Sequence, residues 1–262
     1  MRSTIIRTGA IALVLLCAGC SRQRSPTAVP ELGSKWKRII TTKCEPTELG
    51  KDAVRLFSAI NESIGPLEAK RRTSRRPHGT GPAFRLLEIT YFRAVIAGEP
   101  IVLGVGDFND RYATYHYEEG LQTRVILWRG QISVLEVAEQ TSGLLPKDPL
   151  ELWGFGKAVR ILLKDYNSHG CYATSDGFTV WDYDLGDGKF TRQVGVGDSE
   201  HYYEFTAKME IDIAGGQMVI TVTDPKDGKD PEAEVGAEST NPGVKIEQLR
   251  RTCVRVTLPN PS

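Results

Sequence analysis

The side chains best suited to chemistry crowd the stretch from Asp182 to Glu204. Asp182, Asp184, Asp198, Glu200 and Glu204 supply carboxylates and His201 an imidazole, the groups that general acid–base or metal-assisted hydrolysis uses. Their spacing argues for a plainer role. Asp182, Asp184 and Asp187-Gly188 outline a calcium loop, but an EF-hand has an oxygen ligand where Gly186 stands and an acid where Gln193 stands. Asp-Gly is instead a strong hairpin signal. His201 and Glu204 fall three apart on an expected strand and so point to opposite faces. Ser199 is too close to His201 to read as a triad, and the chain has no GxSxG elbow. The other histidines (His78, His116 and His169) stand apart from acids and cysteines at ligand spacing, so no metal site and no cofactor is expected. Gly104-Val105-Gly106-Asp107 recurs as Gly195-Val196-Gly197-Asp198. Neither copy extends to a GxGxxG that opens a helix, so both read as turn chemistry and not as phosphate loops. Trp128, Trp153, Trp181 and the tyrosines Tyr112, Tyr115, Tyr117, Tyr202 and Tyr203 could line a groove. In β-proteins such side chains are more often core or cross-strand partners.

The chain holds five cysteines. Cys20 closes a segment with Arg2 and Arg7, a short apolar run from Gly9 to Leu16, and then Cys17-Ala18-Gly19. The run is too short to span a bilayer, which takes ~20 apolar residues. A basic start, a short apolar core and a small-residue exit describe an export signal that is removed. This segment resembles bacterial lipoprotein signals. The resemblance covers residues 1–21 and implies cleavage before Cys20, with a thioether-linked diacylglycerol and an amide-linked acyl chain on that cysteine. Such acylation passes the two-chain threshold for stable anchoring. Ser21 follows where Asp commonly implies inner-membrane retention, so the resemblance implies the outer membrane of a two-membrane cell. The plainer alternative is a secretory cut near Gly19 that leaves Cys20 a simple thiol. With Cys17 removed and Cys20 acylated, Cys44, Cys171 and Cys253 remain. An oxidising compartment permits one disulfide among them, and the pairing stays open.

The expected organisation is a signal at 1–19, a lipidated cysteine and flexible tether at 20–35, and one β-rich globular domain at 36–262. The tether is polar and carries Pro26, Pro30 and Gly33; its reach is ~20 Å. Formal net charge is zero, which gives no pointer to nucleic acid. The charge is nonetheless uneven. From Cys20 to Arg85 there are 14 Lys/Arg and 6 Asp/Glu, whereas from Asp176 to Thr240 there are 5 and 15. Lys70-Arg71-Arg72 and Arg75-Arg76 lie in a stretch, 68–82, that reads as a solvated loop able to meet anionic headgroups.

Several elements are expected to carry these residues. Leu49, Ala53, Leu56, Ile60 and Ile64 recur at helical spacing, with Thr47 as N-cap and Gly65-Pro66 as the stop. From Phe84 the period becomes two. Strands are expected at 84–96, 101–105, 111–118, 122–128, 131–137, 171–174, 178–185, 189–196, 202–213, 218–223 and 253–258. Two-residue turns at Gly215-Gly216, Asp187-Gly188 and Arg129-Gly130 predict registers of Ile213 with Met218, Leu185 with Phe190, Trp181 with Val194, and Leu127 with Ile132. A second helix is expected over 148–166, from an Asp148/Glu151 capping box and Pro149 at its first position. Gly154 and Gly156 weaken it and leave open a strand at 159–163. Residues 224–241 read as an acidic loop.

The fold class is therefore α+β. It is a predominantly antiparallel meander of about ten strands, able to curl into a half-barrel, with one or two covering helices. Its order is loosely similar to periplasmic lipoprotein-carrier folds, an architectural likeness without a motif. The functional expectation is a lipid-anchored envelope protein. It would be non-enzymatic, would bind a protein partner or a small or hydrophobic ligand, and would have no nucleic-acid partner. The alternative is an envelope hydrolase whose acids converge from the 182–204 stretch.

Overall fold

A computed structural model describes residues 28–74, 84–110, 119–140, 150–169, 173–198, 208–223 and 234–261. In chain order the elements are β1 (Lys37–Ile39), β2 (Thr42–Cys44), α1 (Pro46–Leu49), α2 (Lys51–Ser74), β3 (Phe84–Ile96), β4 (Glu99–Asp110), β5 (Glu119–Trp128) and β6 (Gln131–Gln140). Then follow β7 (Leu150–Phe155), β8 (Ala158–His169), β9 (Ala173–Asp184), β10 (Phe190–Asp198), β11 (Lys208–Ala214), β12 (Gln217–Thr223), β13 (Val235–Glu238), β14 (Lys245–Arg250) and β15 (Cys253–Leu258). The architecture is β-rich and antiparallel, with helical cover on one side.

The strands form three sheets, in the orders β2-β3-β4-β5-β6, β1-β7-β8-β9-β10-β13 and β11-β12-β15-β14. The sheets stack, and the second lies in the middle. One of its faces sends Leu152, Val159 and Ile161 against Phe92, Leu103 and Ile126 of the first sheet. The other sends Leu162, Val180 and Val194 against Ile220, Val222 and Val256 of the third. The opposite face of the first sheet carries α2, through Leu56 and Ile60 on Val102, Val125 and Leu127. The order is thus helix, sheet, sheet, sheet. Stacking buries the side chains on both faces of the middle sheet, the condition that turns a strand into a near-continuous apolar run.

That condition overturns the helix expected over 148–166. Leu150–Phe155 and Ala158–His169 are strands of one hairpin, with Leu152 opposite Ile161 and Trp153 opposite Arg160. Gly156 sits at φ 55° in the connecting turn. The apolar positions that matched a helical stripe belong to the two faces of a pair of strands in a doubly covered sheet. The expected strand at 159–163 lies inside β8.

The first helix forms on its predicted stripe, with Leu49, Ala53, Leu56 and Ile60 buried. Its start lies before Thr47. Pro46 opens α1, and the Glu45 amide donates to the Glu48 carboxylate at 2.7 Å. Gly50, at φ 55°, separates α1 from α2. Gly65-Pro66 does not stop the helix, which runs to Ser74. Proline forfeits one backbone bond, and the Leu, Glu, Ala, Lys and Arg that follow are strong helix formers that resume the spiral. The expected loop at 68–82 is therefore helical as far as Ser74. Two glycines of β4 let α2 approach closely: a Cβ at Gly106 would stand 2.5 Å from Ile60 Cγ2, and one at Gly104 3.2 Å from Ile60 Cδ1. The second Gly-Val-Gly-Asp copy lies in β10 of the middle sheet, where Gly195 makes room for Arg192 instead.

Two predicted registers are observed: Ile213 with Met218, Ile211 with Ile220, and Met209 with Val222; Leu127 with Ile132 and Val125 with Val134. The third is not. Phe190 pairs with Tyr183 and Trp181 with Arg192, and a bulge before Val194 sets Val194 opposite Val180. The Asp184 carboxylate accepts the Gly186 and Asp187 amides at 2.6 and 3.0 Å, and the Asp184 amide reaches Lys189 O at 2.9 Å. This widens the turn beyond Asp187-Gly188. Within the expected loop 224–241, Val235–Glu238 forms β13 beside β10. The expected strand 111–118 lies outside the described residues, as do the start of the strand expected at 202–213 and the first residues of 171–174.

Candidate functional site

Of the acids in the 182–204 stretch, Asp182 and Asp184 are each taken up in structural contacts. Asp182 is buried, and its two oxygens accept from Arg160 Nε at 2.7 Å and Arg160 Nη2 at 2.8 Å. Arg160 Nη2 also donates to Pro259 O at 2.7 Å, and the Trp36 ring lies 4.6 Å from the guanidinium carbon. Trp36 Nε1 in turn donates toward Gly216 O and Asn260 Oδ1, each at 3.2 Å. This cluster joins the middle sheet, the third sheet and both ends of the folded body. Asp184 holds its turn, and Asp198 ends β10 opposite Val235. Glu200, His201 and Glu204 lie outside the described residues, as do His78, His116 and the clustered tyrosines. Among the described residues no group of three or more His, Cys, Asp and Glu is placed to hold a metal ion.

The aromatic candidates divide. Trp128 is buried between the first two sheets. Trp181 packs against the same core, and Trp153 packs against the core on the other side of the middle sheet. Cys44 and Cys253 are free, buried thiols. Cys44 lies under the helix on β2, and Cys253 lies in the third sheet, 3.3 Å from Thr223 Oγ1. Burial pushes the Cys44 thiol above its usual range, and the nearby Arg93 charge opposes that shift. Cys20 and Cys171 lie outside the described residues.

An open groove of about 620 Å³ lies at one edge of the sandwich, within the size range of small-molecule clefts. It forms where the chain crosses from the middle sheet to the first. β1 pairs with β7 (Lys37 with Gly154), and β2 pairs with β3 (Thr42 with Arg93). The link between them, Ile39 to Thr42, bridges the edge. The floor is apolar, with Leu32, Ile39, Ala94 and Ile96; the charged lining is Lys37, Arg38, Arg93 and Glu31. Arg38 reaches Glu151 at 3.4 Å, and Arg93 Nη2 donates to Glu48 O at 3.1 Å. Ile40 is 74% exposed and Val95 60%.

The N-terminal segment builds this groove. Leu32 N donates to Gly156 O at 2.6 Å, Gly156 N to Gly33 O at 2.9 Å, and Arg129 Nη1 to Ala28 O at 3.0 Å. Val29 and Leu32 pack on the core between the sheets, so residues 28–35 of the expected tether are part of the folded body. Gly154 makes room for this, since a Cβ there would stand 2.8 Å from Leu32 Cδ1. Lys37, Arg38, Ile40, Arg93 and Val95 were not among the sequence candidates. The available signal was two adjacent isoleucines, Ile39-Ile40, inside a basic segment.

No helix among the described residues is long and apolar enough to cross a membrane. In comparison with known proteins, no family model matches the chain, and neither a curated protein nor a solved structure matches it.

Proposed function

We propose that this chain is a lipid-anchored envelope protein, held through Cys20 on the outer membrane of a two-membrane cell, and that its folded body works by binding and not by catalysis. The observation that carries the reading is the position of the groove. Glu31 and Leu32, from the segment that leads back to Cys20, line it together with Lys37, Arg38 and Arg93. A cleft with an apolar floor and a few charged groups suits a small amphiphile or an apolar segment of a protein partner. Two of the acids that motivated a hydrolase favour the same choice, because Asp182 is taken up in an ion pair and Asp184 in a turn.

Two measurements test this. The intact mass of the protein from a membrane fraction should show an N-terminus at Cys20 carrying three acyl chains; a chain retaining Met1 and no lipid mass refutes the anchor. Binding of 1-anilinonaphthalene-8-sulfonate should saturate at one site and be abolished by Thr42→Trp, which fills the groove. Dye binding that ignores this substitution refutes the groove as a ligand site.

A further inference from the structure

We propose that the edge bearing the groove is a membrane-docking face, which sets the link between β1 and β2 and the β3–β4 hairpin against anionic lipid headgroups. The first observation is exposure. Ile40 at 74% and Val95 at 60% are large apolar side chains held out into solvent, and both are among the residues that line the same groove. The second is charge. Lys37, Arg38 and Arg93 line the groove with one acid, Glu31, in the same lining; Arg38 also pairs with Glu151 at 3.4 Å, and Lys43, next along the chain from the lining residue Thr42, is exposed. Protruding apolar residues ringed by basic ones are the chemistry that seats a protein in the headgroup layer, the apolar tips entering the acyl boundary and the cations facing lipid phosphate. The third is reach. Seven residues separate Cys20 from Ala28, the first described residue, and the eight residue-to-residue steps between them span at most ~29 Å when extended. A body anchored at Cys20 therefore carries this edge close to the bilayer. The third point rests on the anchored reading; the first two do not.

The occupant to which these observations commit is the bilayer surface. The charge of the lining favours anionic phosphate, and the exposed apolar Ile40 and Val95 favour an amphiphilic layer over a free anion.

The test uses the unacylated chain starting at Ser21, so that the anchor plays no part. Every buried hydrophobic residue of the described body lies between Trp36 and Leu258, so this chain keeps the whole core; cooperative thermal unfolding confirms it for each variant. Co-sedimentation is measured with vesicles of phosphatidylcholine alone and of phosphatidylcholine with 30% phosphatidylglycerol. The expected result is binding to the anionic vesicles only. It should weaken at least ten-fold in Ile40→Asp/Val95→Asp and in Lys37→Glu/Lys43→Glu, and remain unchanged in Ile213→Asp on the third sheet. No binding by the parent, equal binding to both vesicles, or variants that bind as the parent does would each overturn the proposal. A parent that forms dimers lost in Ile40→Asp/Val95→Asp would assign the face to a second copy and overturn it as well. Failure here alongside a triacylated Cys20 in the intact mass leaves the anchor standing without the docking face.

Discussion

Removing the Asp182 carboxylate should be among the most damaging single changes in this protein. The Arg160 side chain is 0% exposed and that of Asp182 10%. Asp182→Ala deletes two charge-assisted hydrogen bonds and leaves a guanidinium inside the protein with Pro259 O and the Trp36 ring as its remaining contacts. Breaking a buried pair from one side costs ~3–5 kcal/mol, because the surviving charge stays dehydrated, whereas an apolar replacement of both partners is often neutral or stabilising. Urea unfolding reads this directly. With a slope of ~2–3 kcal/mol per molar for a chain of this size, the midpoint of Asp182→Ala should fall by roughly 1–2.5 M at unchanged slope. Arg160→Met/Asp182→Leu should recover most of that loss. A fall below ~0.3 M for Asp182→Ala, or a double variant worse than the single one, would refute the reasoning, since water would then be solvating the arginine.

Gly106→Ala places a methyl 2.5 Å from Ile60 Cγ2 and should cost ~1–3 kcal/mol through overpacking; in thermal unfolding its combination with Ile60→Ala should cost less than the two changes summed. Ala97, at φ 50° beside Gly98 in the β3–β4 turn, holds a left-handed conformation unfavourable to residues with a Cβ, so Ala97→Gly should stabilise by about 1 kcal/mol in urea. Burial holds the Cys44 thiol, and beside it the Tyr91 phenol, above their usual values. Both groups bind protons more tightly when folded, so their contribution is complete below the ordinary thiol range and is lost as pH rises through the raised values. The urea midpoint should therefore drop between pH 7.5 and 10, and Cys44→Ala should make that drop shallower; an unchanged slope refutes the assignment.

Local chemistry was readable from the residues, and long-range assembly was not. Gly215-Gly216 and Arg129-Gly130 each join strands directly, so a two-residue turn pins the register by itself. Asp187-Gly188 carries the same signal, yet Asp184 captures two amides upstream and opens the loop. The stripe from Leu49 to Ile64 marks its helix because one face alone is covered. Leu150 to Leu163 misleads because both faces of the middle sheet are covered, and alternation then vanishes from the sequence. β1 and β2 are three residues each, too short for any period to show. The groove depends on them, drawing its walls from residues 31–42, 93–97 and 154, so its existence turns on pairings that no local pattern encodes.

The middle sheet also dictates when this protein can finish folding. Its outermost strands come from opposite ends of the chain, β1 near the start and β13 near the finish. Trp36 closes on Asn260 across a separation of 224 positions. A polypeptide made from its amino end presents β1 well before its mate β7 exists. Such distant closures slow the search for the native state. β1 waits unpaired until its mate β7 is made, and Trp36 waits until Asn260 is, so this edge of the sandwich is among the last parts of the fold to close.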